Sequence, residues 1–335
     1  MAALSRRSFL RRSVTAGAVG AGLLYGLPAR AGSAGAGTVP LGSVIDLTRC
    51  DGCRGEEVPR CVAACRARNV GRFPEPRQPI MDYWPQKKHE DWSRQRGVIN
   101  RLTPYNWTYV ETVTVEVDGE TQEVSVPRRC MHCENPTCMN LCPFSAVEQH
   151  ASGLVEIHQS SCMGGAKCRD VCPWGIPQRQ AGVGPYLSIA PQYVGGGAMY
   201  KCDGCADLVE AGEPPACAAA CPRGAITFGP REEMRALAHR RAEEIGGYIY
   251  GETENGGTST YYVSKVPFEL IDAAIRKRKA EENDTRPGRP GMPVGVGNML
   301  DTPAGLALSM LIAPVAGVAA AVAGAARVMT KGGDA

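Results

Sequence analysis

Alternation of apolar and polar residues is clearest between Val110 and Val126. Val113, Val115 and Val117 lead into Asp118-Gly119, and Val124 and Val126 follow. Period-two alternation on both sides of an Asp-Gly pair predicts a β-hairpin. Shorter apolar runs predict strands through Leu154-Val155-Glu156-Ile157, after Gly153, and through Ala225-Ile226-Thr227-Phe228. Arg231 to Ile245, rich in Glu, Ala and Arg, reads as a helix. Phe73 to Pro85 is punctuated by proline and is expected as loop. Residues 281–300 turn polar and then Pro/Gly-rich, which predicts a linker.

The two ends follow different rules. Near the start, Ser5-Arg6-Arg7-Ser8-Phe9-Leu10-Arg11 precedes a mild apolar stretch from Val14 to Leu27, and Ala29-Arg30-Ala31 supplies a small-x-small cleavage pattern. Residues 1–31 therefore resemble a twin-arginine export leader. A basic N-terminal arm or a first membrane anchor is the alternative reading. Near the end, Thr302 to Ala326 is an uncharged run between Asp301 and Arg327. At about 1.5 Å per residue it exceeds the roughly 30 Å of a hydrocarbon core, so a single transmembrane helix is expected there. Its Ala and Gly suit packing against partner helices better than insertion into lipid alone. The basic residues after it place the C-terminus inside. A soluble Ala-rich helix is the rival.

Composition narrows the picture. The chain has 40 Gly, 25 Pro and 15 Cys against five Phe and four Trp, which points to a loop-rich fold stapled by covalent or metal bonds. The formal charge of +3 includes the leader. Residues 1–31 hold five Arg and no acid, so the remainder carries 32 basic against 34 acidic residues. No positive field is left to argue for nucleic acid.

The cysteines fall into four groups. The first is Cys50, Cys53, Cys61 and Cys65; the second Cys130, Cys133, Cys138 and Cys142-Pro143. The third is Cys162, Cys168 and Cys172-Pro173, and the fourth Cys202, Cys205, Cys217 and Cys221-Pro222. A disulfide framework would leave one of fifteen thiols over, and neighbours so close would close tiny loops. Structural zinc wants four ligands per ion and rarely carries Cys-x3-Cys-Pro. The groups instead match the bacterial ferredoxin run, in which three thiolates hold one cluster and the fourth reaches another.

With that pattern the chain resembles the four-cluster iron–sulfur subunits of membrane-bound respiratory oxidoreductases, over about Val44 to Phe268. The resemblance implies an α+β fold of two nested ferredoxin-like modules in residues 44–230, with the hairpin in an insert at 70–129. A helical and strand extension follows at 231–280. It also implies the ligand sets. Cys50, Cys53, Cys61 and Cys221 would hold one 4Fe–4S cluster, and Cys202, Cys205, Cys217 and Cys65 a second. Cys130, Cys133, Cys138 and Cys172 would hold a third, leaving Cys162, Cys168 and Cys142 for the fourth. Gly165 stands where that last set would have its fourth cysteine, so a 3Fe–4S cluster is expected; a 4Fe–4S cluster with water or a distant ligand is the alternative. The first group departs too, with a longer middle gap and Arg66 after Cys65, which should change exposure rather than ligation.

Arg128, Arg129, His132, Lys167, Arg169 and Lys201 flank the cysteines, and each either tunes a neighbouring site or is simply solvated. The five histidines show no spacing for haem or zinc. No catalytic acid–base pair, nucleophile motif or nucleotide loop is evident, so the chain is not expected to be an enzyme on its own. The leader together with the C-terminal run is similar to the subunit of hydrogenase-2 type complexes, and the stretch Gly251-Glu252-Thr253-Glu254-Asn255-Gly256-Gly257-Thr258 resembles that group and formate dehydrogenase subunits alike. The first likeness implies a periplasmic nickel–iron hydrogenase as catalytic partner and an integral-membrane quinone-reactive partner. A formate dehydrogenase, using molybdenum or tungsten, is the alternative.

Overall fold

A computed structural model of the chain describes residues 39–83, 89–189 and 196–311. The hairpin forms where alternation predicts it: β1 (Leu41–Asp46) is followed, after helix α1 (Arg60–Asn69), by β2 (Tyr109–Val117) and β3 (Glu120–Arg128). β2 and β3 pair antiparallel with Val113 opposite Val124. Asp118 and Gly119 take φ of 52° and 82°, the two-residue turn that a right-twisted pair requires. Val113, Val115, Val124 and Val126 are buried while Thr114 and Glu116 face out. Past Val124 the alternation ends, because Ser125, Pro127 and Arg128 are buried as well.

Two small antiparallel pairs frame the cysteine groups. β4 (Val147–Gln149) pairs with β5 (Val155–Ile157) between groups two and three, and β6 (Gln178–Ala181) pairs with β7 (Gly197–Tyr200) between groups three and four. A larger sheet joins distant chain. β8 (Ile226–Pro230) runs antiparallel to β1, with Ser43 opposite Phe228. The chain entering group one is thereby laid beside the chain leaving group four. On its other edge β1 takes β10 (Thr260–Ser264) in parallel, and β9 (Tyr248–Tyr250) closes the sheet order as β8-β1-β10-β9.

Helix α2 (Arg231–Ile245) has the bounds its composition predicts. Met234, Ala238 and Ala242, spaced by four, pack on Val44, Tyr261 and Val263 of this sheet. Glu232 and Glu233 sit at its positive end, and Gly246 ends it in the left-handed region at φ 60°. Helix α3 (Phe268–Glu281) buries Phe268, Ile271 and Ile275 on one face, against β2.

Residues 281–300, expected as a linker, are instead held along the body as a strap. Arg289 Nη2 donates to Glu111 Oε1 at 2.6 Å and Nε to Oε2 at 3.1 Å, with both side chains only 3% exposed. Arg101 Nη2 donates to Asp284 at 2.5 Å, and Arg128 Nη2 to the Gly291 carbonyl at 2.7 Å. Gly288, at φ 98°, lets its carbonyl accept from the Leu102 amide at 2.7 Å; a Cβ there would lie 2.1 Å from the Leu102 oxygen. At the far end Asn298 donates to the Asn135 and Asn255 carbonyls at 3.0 Å and accepts from Thr137 Oγ1 at 3.0 Å. A Pro/Gly-rich composition does not reveal such partners, since they lie far away in sequence.

A helix begins at 303–311, and the rest of the Thr302–Ala326 run lies outside the described residues, as does the stretch 1–31 expected as a leader. Among the described residues no helix is long and apolar enough to cross a membrane.

Candidate metal centres

Local backbone sorts the four cysteine groups into two kinds. Groups one and four share the tetrapeptide Cys-Asp-Gly-Cys, at Cys50–Cys53 and Cys202–Cys205. In both, the Asp carboxylate accepts from the amide of the second cysteine, Asp51 from Cys53 and Asp203 from Cys205, each at 2.9 Å. Glycine and second cysteine are both left-handed: Gly52 67° and Cys53 55°, Gly204 76° and Cys205 55°. A Cβ at 204 would lie 2.7 Å from the end of the buried Leu154 side chain, which would have to move. At that place groups two and three have one left-handed residue instead of two, His132 at 49° and Gly164 at 71°; group three has another further on, Ala166 at 58°. Cys133 follows the first and Gly165 the second, both outside that region. Gly165 thus occupies the backbone place of Cys133. Among the described residues, a Cβ built on Gly165 meets only Tyr83 Oη, at 3.5 Å.

The later cysteines of each group sit on helical turns. Cys61 and Cys65 lie on α1 at i and i+4, on one face. Cys61 joins Cys50, Cys53 and Cys221 around a narrow cavity of about 20 Å³, while Cys65 joins Cys202, Cys205 and Cys217 around one of about 10 Å³. Cys142, Cys162, Cys168 and Gly165 line a third and roomier cavity of about 230 Å³, with Phe144, Ile157 and Met199. Cys133 faces Cys130, Cys138 and Cys172. The long loop of group one leaves Arg54 to Glu57 exposed, and all fifteen cysteines are free thiols.

The surroundings of the sulfurs are built for negative charge. Backbone amides point at several of them, among these Met199 at Cys162, Ala146 at Cys142 and Ala225 at Cys221, each 3.3 Å, and Gly204 at Cys202, 3.4 Å. Asn255 Nδ2 donates to Cys133 Sγ at 3.3 Å. Burial works the other way and, with repulsion from Cys221, Cys53 and Asp51, pushes the Cys50 thiol up to about 11. Burial likewise pushes Cys138 and Cys202 up to about 12, although Lys201 and Arg129 respectively oppose it, and takes Cys65, Cys133 and Cys168 well above the ordinary thiol value. Three or four thiolates can be gathered here only around a group that supplies positive charge. Among the described residues no three ligating side chains converge on a point for a single ion. The thiols surround spaces, and thiolate sets with inward amides fit a cluster of irons bridged by sulfide.

The flanking charges divide. Arg129, His132 and Lys201 are buried at 3%, 2% and 6% exposure. Lys201 Nζ donates to the carbonyls of Val155 and, at 3.0 Å, Cys202. Arg129 Nη2 donates to Ser43 Oγ at 2.6 Å, and its Nε has no hydrogen-bond partner. His132 Nδ1 accepts from the Val155 amide at 3.0 Å, so its Nε2–H faces Cys202 Sγ, 3.8 Å away. Arg128 is also buried, over the Tyr262 ring. Arg169 pairs with Glu90, and Lys167 stays half-buried at the mouth of the third cavity. The other histidines, His89, His150, His158 and His239, pair with carboxylates. Sequence reasoning missed Asn255 as a sulfur partner, although it lies within the 251–258 stretch that drew attention, and it missed Tyr83.

Two models described as 4Fe–4S dicluster domain match residues 49–146 and 121–231. The hydrogenase-2 operon protein HybA of Escherichia coli O157:H7 is 28% identical over 308 residues, spanning 80% of this chain and 83% of that protein. The formate dehydrogenase-O iron–sulfur subunit of Escherichia coli K12 is 30% identical over 66% of this chain and 65% of its own length. The nitrate-inducible formate dehydrogenase iron–sulfur subunit of the same strain is 30% identical over 66% of each.

Proposed function

We propose that this chain, a ferredoxin-type iron–sulfur electron-transfer subunit with two 4Fe–4S dicluster domains, relays electrons between a catalytic oxidoreductase subunit and an integral-membrane quinone-reactive subunit. The observation that carries the reading is the gathering of fifteen free thiols into four sets, two of which are closed only by joining group one to group four. Bound there, iron–sulfur clusters supply one-electron carriers. Cys50, Cys53, Cys61 and Cys221 hold one 4Fe–4S cluster, and Cys65, Cys202, Cys205 and Cys217 the next. Cys130, Cys133, Cys138 and Cys172 hold the third. Cys142, Cys162 and Cys168 hold a 3Fe–4S cluster, with Gly165 at the missing corner.

The catalytic partner on this reading is a periplasmic nickel–iron hydrogenase. The HybA match supports that choice because it spans more of this chain than the formate dehydrogenase matches do. Export by the twin-arginine route suits a protein that must fold around its cofactors first, and Thr302–Ala326 then anchors it at the outer face of the cytoplasmic membrane.

The test is anaerobic purification of the full chain with its partners. Iron and acid-labile sulfide should be present, and hydrogen should drive quinone reduction. Truncation before Asp301 should abolish quinone reduction and leave the cluster spectra unchanged. Formate-driven reduction would assign the complex to the alternative class, and zinc in place of iron would sink the proposal.

A further inference from the structure

Among the described residues, Lys201 and Arg129 are buried cations without a carboxylate in ion-pair contact. The polar contacts of Lys201 are two carbonyl oxygens, and Arg129 keeps one hydroxyl and an unpartnered Nε. A buried charge left so is costly unless an anion lies close by. The thiols are in reach, and so is the buried carboxylate of Asp203, which Arg72 already pairs. Arg129 lines the cavity of Cys65, Cys202, Cys205 and Cys217, and it immediately precedes Cys130 of the neighbouring set. Lys201 immediately precedes Cys202, and its field acts on Cys130 and Cys138 across the boundary as well as on Cys202. His132, neutral and held by the Val155 amide, adds an Nε2–H toward Cys202 from the same boundary.

The other two sites are arranged differently. Beside Cys50 and Cys53 the arginines Arg223, Arg54 and Arg60 are exposed and paired with Asp51, Glu123 and Glu56 respectively. Near Cys162, Arg179 and Arg169 both share Glu90, and Lys167 is half-buried. Their positive charge is spent on a carboxylate or open to solvent, where water screens it.

We propose that Lys201 and Arg129 are resident counter-cations for the two middle clusters, the Cys65/Cys202/Cys205/Cys217 and Cys130/Cys133/Cys138/Cys172 sets, and hold their reduction potentials above what the same ligands would give alone. This rests on the ligand reading above. A thiolate-held cluster is anionic and becomes more so on reduction, so a fixed buried cation favours the reduced form. Lys201, at the boundary, acts on both clusters; Arg129 acts more strongly on the one whose cavity it lines.

The test is an anaerobic redox titration followed by electron paramagnetic resonance on the full chain. Lys201→Gln keeps a donor for the two carbonyls and removes the charge. Two of the four midpoints should fall by at least tenfold in the reduction equilibrium, about 59 mV for one electron, while the other two hold. Lys201→Arg should leave all four in place, and Arg129→Gln should lower one midpoint more than any other. Four unmoved midpoints in Lys201→Gln with full iron content would overturn the proposal, as would an equal fall in all four. Should Lys201→Gln assemble fewer clusters, Lys201→Arg decides. Full assembly at wild-type potentials supports the charge, and loss in both variants overturns it in favour of simple packing. A wild-type chain without iron would instead strike at the ligand reading itself.

Discussion

Replacing Gly165 by cysteine tests the odd site directly. The backbone at Gly165 lies outside the left-handed region, and an ideal Cβ meets only Tyr83 Oη at 3.5 Å, an ordinary van der Waals contact. The cavity alongside, about 230 Å³, leaves room for the sulfur. Among the described residues no steric cost therefore opposes the substitution, and restricting the unfolded chain should stabilise the protein by about 0.4–1 kcal/mol. Gly164 is the built-in control. Its φ is +71°, and a Cβ there would lie 2.4 Å from the Gly197 carbonyl oxygen. Gly164→Ala should cost about 1–2 kcal/mol for the backbone alone, and more for displacing the start of β7. The wild-type protein, oxidised, should show the near-isotropic resonance of a three-iron cluster. Gly165→Cys should lose it, gain one iron per chain and lower that site's potential, with a thermal midpoint no lower than wild type. If the resonance and the potential persist, Gly165 is not the vacant ligand position. If Gly165→Cys melts as early as Gly164→Ala, the packing argument is wrong.

The strap offers further tests. Arg289→Ala would strip Glu111, 3% exposed, of its bidentate partner, at a cost of about 3–5 kcal/mol. Amide exchange over residues 284–298 should accelerate by about two orders of magnitude or more, and pairing it with Glu111→Leu should recover most of the loss. Asp284 gives a pH signature. Burial would raise its pKa from the ordinary 3.8, but hydrogen bonds from Arg101 and Arg289 hold it down to about 2. Its stabilisation is then complete above the ordinary value and is lost as pH falls from about 4 toward 2, so acid should loosen 284–298 in exchange experiments, and Asp284→Asn should remove that step. Replacing Arg6 and Arg7 together by Lys should leave a cytoplasmic precursor that still holds its clusters; normal export would favour the general secretory route.

What could be read from the sequence was whatever is local. The hairpin declared itself because Asp118-Gly119 and the valines around it are neighbours, and α2 because its composition is continuous. The cysteine groups were legible for the same reason. The mixed sheet was not: nothing near Val44 says that it will lie between Thr227 and Tyr261. The strap stayed hidden because Arg289 finds Glu111 and Asn298 finds Thr137 only after the chain has folded back. Arg129 and Lys201 were noticed, yet whether they were solvated or buried turned on neighbours such as Ser43 and Val155. Gly165 could be picked out as a missing thiolate, whereas its likeness in backbone to Cys133 needed the φ angles.

The pairing of β1 with β8 also sets a timetable. As the chain leaves the ribosome, Cys50 to Cys65 emerge early but have no complete site to fill. Cys130 to Cys172 come next, close together, so those two sites can close over short loops. The outer sites must wait until Cys202 to Cys221 are made and β8 reaches back to β1, a long closure that forms late. On the ligand reading proposed above, maturation should run from the middle of the chain outward: a nascent chain halted before Cys202 is expected to carry the inner clusters alone, with the first four thiols still open to oxidation.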